Sequence, residues 1–127
     1  MKRNIHRRRL TIAEEEIMLI LWKRKHALIK DIMEDCTEPR PAYNTVSTVL
    51  RVMEKKGFVG HRKVGVFYEF HPLIEKAEYA RKLSKWLIED YYDNSVAALV
   101  AACAEKCPKE ALTESIAQIA QIIATKG

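Results

Sequence analysis

The chain has 127 residues, 48% of them hydrophobic, and its 22 Lys and Arg against 17 Asp and Glu give a formal net charge of +5. That length allows one domain or two small ones with a lean core, a setting in which dimerisation often adds stability. The positive balance favours a polyanionic partner, nucleic acid first, and argues against an acidic binding module. Three cysteines, Cys36, Cys103 and Cys107, are odd in number and irregular in spacing, which excludes a disulfide framework. The charged N-terminus has no apolar stretch behind it, and the longest apolar run, 96–104, is about half the length of a membrane span. A soluble protein of the reducing cytoplasm is expected.

Residues 1–9 form a basic arm, in which solvated charge or added phosphate attraction are the two readings. Thr11-Ile12-Ala13-Glu14 is a capping box. The helix it opens should run to about Lys25, with acids in its first turn and Lys23, Arg24 and Lys25 in its last, matching the helix dipole. Ile17, Ile20 and Leu21 should face inward, with Trp22 at the core edge. A short helix over about 28–35 follows, burying Ile29, Ile32, Met33 and Cys36 on one face. Cys36 reads as a small buried apolar residue. Pro39 and Pro41 then break the chain.

The third helix, about 42–56, ends at Gly57, a suitable residue for a left-handed cap. Its two faces separate. Val46, Val49, Leu50 and Met53 share one stripe; Asn44, Ser47, Thr48, Arg51 and Lys55 share the opposite one, with Glu54 on the flank. Short polar side chains and cations suit a major groove, where they reach base edges and phosphates. An ordinary amphipathic surface helix has the same pattern, so the neighbours decide. A hairpin comes next, with strands over 58–62 and 66–70 and a turn of Lys63-Val64-Gly65. His61, Arg62 and Lys63 would make its tip basic. Three helices followed by a two-stranded ribbon define a winged helix–turn–helix.

From Leu73 onward the chain reads as helical throughout: about 73–92, 95–104, and a last helix opened by Pro108. The fold class expected is therefore mainly α, a winged helix over 10–72 followed by an all-helical region over 73–127. Narrow apolar stripes and many alanines cannot form a substantial core in one copy. Leu83, Leu87, Val96, Leu99, Val100, Ile116, Ile119 and Ile123 are the candidate dimerisation residues. No internal repeat is visible.

These segments together resemble the penicillinase and methicillin-resistance repressor family, the BlaI/MecI/CopY type. The resemblance spans about Leu10 to the C-terminus. It rests on Leu10-Thr11-Ile12-Ala13-Glu14, on Leu19-Ile20-Leu21-Trp22, and on Tyr43-Asn44-Thr45-Val46-Ser47-Thr48-Val49-Leu50-Arg51. It rests also on Glu54-Lys55-Lys56-Gly57-Phe58-Val59 and Phe67-Tyr68-Glu69-Phe70-His71-Pro72 around the wing. What the resemblance implies is a homodimeric repressor on an inverted-repeat operator, released by proteolysis in response to a membrane-bound sensor protease. It places Asn44, Thr45, Ser47 and Thr48 in the major groove. Two departures stand out. Val52 occupies a position that is basic in well-known members, with Arg51 one residue earlier. The family's Asn-Phe cleavage pair is replaced by about Ala102-Cys103.

The candidate DNA-contacting set is Tyr43, Asn44, Thr45, Ser47, Thr48, Arg51 and Lys55 on the helix, and His61, Arg62 and Lys63 on the wing. Cys103 and Cys107 are four apart and could take a soft metal or sense redox state, but two thiolates fall short of a four-ligand site, and Cys103 lies on an apolar stripe that favours burial. No catalytic constellation, phosphate loop or metal motif is present, so neither an enzyme nor a cofactor is expected. The alternative reading is a winged-helix protein–protein adaptor without specific DNA binding.

Overall fold

A computed structural model of the chain describes residues 9–127. The basic arm expected over 1–9 lies outside the described residues apart from Arg9. Helix α1 (Ile12–Arg24) opens with the expected capping box: Glu14 N–H donates to Thr11 Oγ1 at 3.2 Å and Thr11 N–H donates to Glu14 Oε1 at 2.9 Å. Strand β1 (Ala27–Leu28) and helix α2 (Ile29–Asp35) follow. Helix α3 (Tyr43–Lys56) closes at Gly57, whose φ of 86° is the left-handed cap that a Cβ would disfavour. Strands β2 (Val59–Val64) and β3 (Phe67–Pro72) form the wing. Helices α4 (Lys76–Tyr91), α5 (Val96–Ala104) and α6 (Lys109–Thr125) complete the chain. The fold is mainly α, a winged helix–turn–helix followed by helices.

The hairpin differs from its expected register. Both strands are longer, and the turn is Gly65-Val66 rather than Lys63-Val64-Gly65. A two-residue turn needs positive φ at its first position, and Gly65 supplies it at 64°. Lys63 and Val64 are thereby drawn into β2, and Phe58 leaves the strand for the core. The ribbon is also not two-stranded. β1 pairs antiparallel with β3 through Ala27↔Phe70 and Leu28↔Glu69, giving the order β1-β3-β2. Two residues are too few to carry a readable alternation, which is why 28 reads as helix in the sequence.

The chain divides between Leu83 and Ser84 into two compact units. The first has a true core: Met18, Leu21, Ile32, Val46, Leu50, Met53 and Val59 are fully buried. Burial of each such side chain stabilises the fold by roughly 1.5–3 kcal/mol. Ile17 and Ile20 are buried as expected, while Met33 and Val49 are half-buried. Residues 73–83, assigned from the sequence to the helical region, fall in this first unit. Tyr79 is buried there, its hydroxyl accepting from Leu10 N–H at 2.9 Å, its ring 6.2 Å from Phe58 and 6.0 Å from Trp22. Trp22 Nε1 donates to the Ile74 carbonyl at 2.9 Å, consistent with a core-edge indole whose N–H needs a partner.

Two ion pairs bind the helices of this unit together. Arg24 donates from Nε and Nη2 to both oxygens of Asp35 at 2.6 and 3.0 Å, holding that carboxyl below its usual range and joining α1 to α2. Lys56 Nζ reaches Glu14 Oε2 at 2.9 Å and Oε1 at 3.2 Å, joining the end of α3 to the start of α1. Glu14 is only 3% exposed, and Lys56 and the Thr11 N–H both serve its carboxylate, as a buried charge requires.

The second unit is different in kind. No described residue of 84–127 is buried. Ser95 caps α5 by accepting from Ala98 N–H at 3.0 Å, and the α5 and α6 bounds are close to those expected. Cys103, expected to be buried on its stripe, is exposed, and so is Cys107. Cys36 is buried as expected, and burial pushes its thiol pKa up. Among the described residues no helix is long and apolar enough to cross a membrane.

The Glu14 arrangement makes a prediction. Glu14→Ala removes one half of the capping box and strands the Lys56 ammonium near the core, so it should lower unfolding free energy by about 2 kcal/mol. Urea unfolding followed by circular dichroism measures this; a loss below about 0.5 kcal/mol would show that the pair contributes nothing.

Candidate nucleic-acid interface

Burying Val46, Leu50 and Met53 turns the other side of α3 outward. Residues four apart on a helix stack along one edge with about 6 Å between them. Tyr43, Ser47, Arg51 and Lys55 form such an edge, and together they line one wall of a groove of about 660 Å³. The opposite wall is the wing, through His61 on β2 and Tyr68 and Phe70 on β3, with Ile29 of α2 at the side. Tyr43, Arg51, Lys55, His61, Arg62 and Lys63 are exposed, and Ser47 is half-buried.

The structure therefore gathers part of the sequence-derived set and leaves the rest apart. Asn44 and Thr48 are exposed on α3 beyond the groove edge. Thr45 turns toward α1 and lines a separate recess of about 160 Å³ with Pro39, Pro41 and Cys36. Arg62 and Lys63 lie on β2 instead of at the hairpin tip, which is Gly65-Val66. Val66 and Phe67 leave that tip exposed and apolar. Val52, at the position of the noted departure, is 41% exposed.

Charge in the groove is not uniformly positive. Glu54 lines it too, its Oε1 2.7 Å from His61 Nδ1. From the sequence Glu54 sits only on the flank of the polar stripe. The pairing crosses the Gly57 cap, where helical periodicity ends, so no sequence pattern announces it. Arg62 is also partnered: its Nε donates to Glu69 Oε1 at 2.8 Å, across the strand pair Arg62↔Glu69. That guanidinium, with a smaller contribution from His26, holds the Glu69 carboxyl below the usual carboxylate range. Lys56 is drawn off toward Glu14, which leaves Arg51, Lys55 and Lys63 as the wing-side cations of this surface. Among the described residues no group of His, Cys, Asp and Glu side chains is placed to hold a metal ion.

A helix edge of short polar groups and cations facing a β-ribbon, carried on this core, is the architecture of a winged-helix regulator. The model of the penicillinase repressor family matches residues 10–125, and the chain belongs to that family. It is 30% identical over 98 residues to the methicillin resistance regulatory protein MecI of Mammaliicoccus sciuri, covering 76% of this chain and 80% of the relative. It is 24% identical over 89 residues to the penicillinase repressor of Bacillus licheniformis, covering 69% and 70%. Among solved structures it is similar to the DNA binding domain of the repressor BlaI, in solution, with a TM-score of 0.50 and 25% identity over 62% of this chain and 94% of that one.

The Glu69–Arg62 pair supplies a pH prediction. Because the folded pKa is depressed, the pair's contribution is present above the unfolded value, ~4.3, and is lost as pH falls through the folded one. In Arg62→Gln the Glu69 carboxyl should titrate at higher pH, read from its side-chain carbon resonance by NMR. An unchanged titration would mean that Arg62 does not hold it.

Proposed function

We propose that this chain is a transcriptional repressor that binds duplex DNA as a homodimer on an inverted-repeat operator. The observation that carries the reading is the outward edge of α3: Ser47, Arg51 and Lys55 aligned beside the wing, with Asn44 and Thr48 open next to them. In the major groove this edge would meet base edges, and Arg51 has the fork geometry to donate to guanine O6 and N7 or to clamp a phosphate. Lys55 and Lys63 would add salt-sensitive phosphate attraction. The named relatives, a methicillin resistance regulatory protein, a penicillinase repressor and the DNA binding domain of a repressor, support the same reading.

Dimerisation is supported by what the second unit lacks. Val96, Val100, Ile116, Ile119 and Ile123 are exposed, Val96 by 60% and Ile123 by 67%, while Leu83, Leu87 and Leu99 are half-buried. Apolar stripes left open in one copy have a natural cover in a second. Two copies would set half-sites about one helical turn apart, ~34–36 Å, or a multiple of it. Release by a membrane-bound sensor protease belongs to the same reading. The bond at issue, Ala102–Cys103, lies inside α5. Hydrolysis there requires a turn of that helix to open, which no buried side chain opposes within one copy but which would shed the contacts that α5 makes in the dimer. It would part α6 from the winged helix. The three free thiols fit a reducing cytoplasm. Repression rather than catalysis is the activity.

The test is fluorescence anisotropy of a random-sequence duplex across a salt series, then of an operator. Weak binding that falls steeply with salt is expected; salt-independent or absent binding would favour the adaptor instead. Arg51→Ala should weaken operator binding by roughly 1–3 kcal/mol without altering the melting curve, and an unchanged affinity removes Arg51 from the interface. The double variant Ile119→Glu/Ile123→Glu should run as a monomer in light scattering; an intact dimer would place the interface elsewhere.

A further inference from the structure

The groove between α3 and the wing holds a carboxylate as well as cations, and that carboxylate is tied to a titratable ring. His61 Nδ1 is 2.7 Å from Glu54 Oε1. The imidazole stands edge-on to Tyr68 with centroids 5.0 Å apart and tilts against Phe70 at 5.6 Å. Two ring contacts and one hydrogen bond therefore fix its orientation. With Nδ1–H donating to Glu54, the neutral ring offers only a lone pair at its other nitrogen, whereas the protonated ring offers a donor there. A phosphodiester oxygen only accepts.

We infer that binding of a phosphodiester strand in this groove takes up one proton at His61, so that the protein grips DNA more tightly as pH falls. The inference rests on the DNA-binding reading above and names a regulation of the same site. Around the ring, α3 supplies Glu54, Arg51, Lys55 and the Tyr43 phenol, and β3 supplies the Tyr68 phenol; α2 supplies apolar Ile29, with the Lys30 cation in an adjoining recess beside Tyr43 and Tyr68. On β2 the neighbours are Arg62, partnered by Glu69, and Lys63. In the free protein one anion, Glu54, and two cations, Arg51 and Lys55, line the groove with the ring. A bound phosphate pairs with those cations and adds a second anion beside the ring, so both changes favour protonation. Histidine is the side chain suited to such a switch between pH 5 and 8. Glu54 acts as a positioning residue: it fixes the tautomer, and its own charge repels phosphate until the ring is protonated.

The experiment is a duplex-binding titration of the full chain at constant ionic strength, from pH 8 to pH 6. Wild-type affinity should rise about three- to tenfold, and the rise should vanish in His61→Gln. It should persist in His6→Gln, His26→Gln and His71→Gln. Glu54→Gln should bind more tightly than wild type at pH 8 and respond less to pH. Calorimetry of the wild type in two buffers of different ionisation enthalpy should show about one proton taken up, a readout that needs no variant to fold. Equal wild-type affinity at both pH values, no proton uptake, or an unaltered slope in His61→Gln overturns the inference while leaving salt-dependent DNA binding in place. Absence of salt-dependent binding at every pH overturns the DNA-binding reading as well.

Discussion

The roll of α3 about its own axis is the constraint on which the rest depends. Val46, Leu50 and Met53 are all fully buried, one turn apart on a single stripe, as are Met18 and Leu21 of α1 and Ile32 of α2. A rotation of the helix by one residue would move about 100° of surface, exposing this stripe and burying Ser47 or Arg51 without partners. The core thus forbids any other presentation of the polar edge. Two devices fix the end of the helix as well. Gly57 turns the chain back through its left-handed cap, and Lys56 is anchored on the buried Glu14. The same features aim β2 and β3 at the outward edge, so that a groove exists at all.

What was legible in the sequence was whatever repeats with a period or follows a local rule. The faces of α3, the capping box at Thr11, the break at Pro39 and Pro41, and the cap at Gly57 each come from residues within a turn of one another. What was not legible depends on contacts between distant positions. Glu14 reads as a first-turn acid; nothing near it announces Lys56, 42 residues on. Tyr79 looks like one more residue of a long helix, yet its hydroxyl closes on Leu10. β1 is too short for alternation, and the hairpin turn shifted because Gly65, rather than Lys63, can open a two-residue turn. The helical period groups Asn44, Ser47, Thr48, Arg51 and Lys55, and the wing faces the edge of Tyr43, Ser47, Arg51 and Lys55 and brings Glu54 into the groove.

The two units divide the work along physical lines. The first buries a core of its own, with Met18, Leu21, Ile32, Val46, Leu50, Met53 and Val59 fully buried. The second carries apolar stripes with nothing over them in a single copy. In the proposed dimer this helical region would gain its core by association, and its stability would then depend on protomer concentration. On the proposed function, cutting α5 would both shed apolar contacts and weaken the dimer, and avidity for a two-part operator would fall without any change to the groove.

The central claim is that the outward edge of α3 and the facing wing are the surface that meets DNA. Amide NMR of the labelled protein, titrated at low salt with a short random-sequence duplex, tests it most directly. The account predicts that shifts concentrate at Ser47, Thr48, Arg51 and Lys55 and along His61 to Lys63. Shifts confined to the opposite side of the first unit, around Leu19 and Lys23, or no shifts at any duplex concentration, would contradict it.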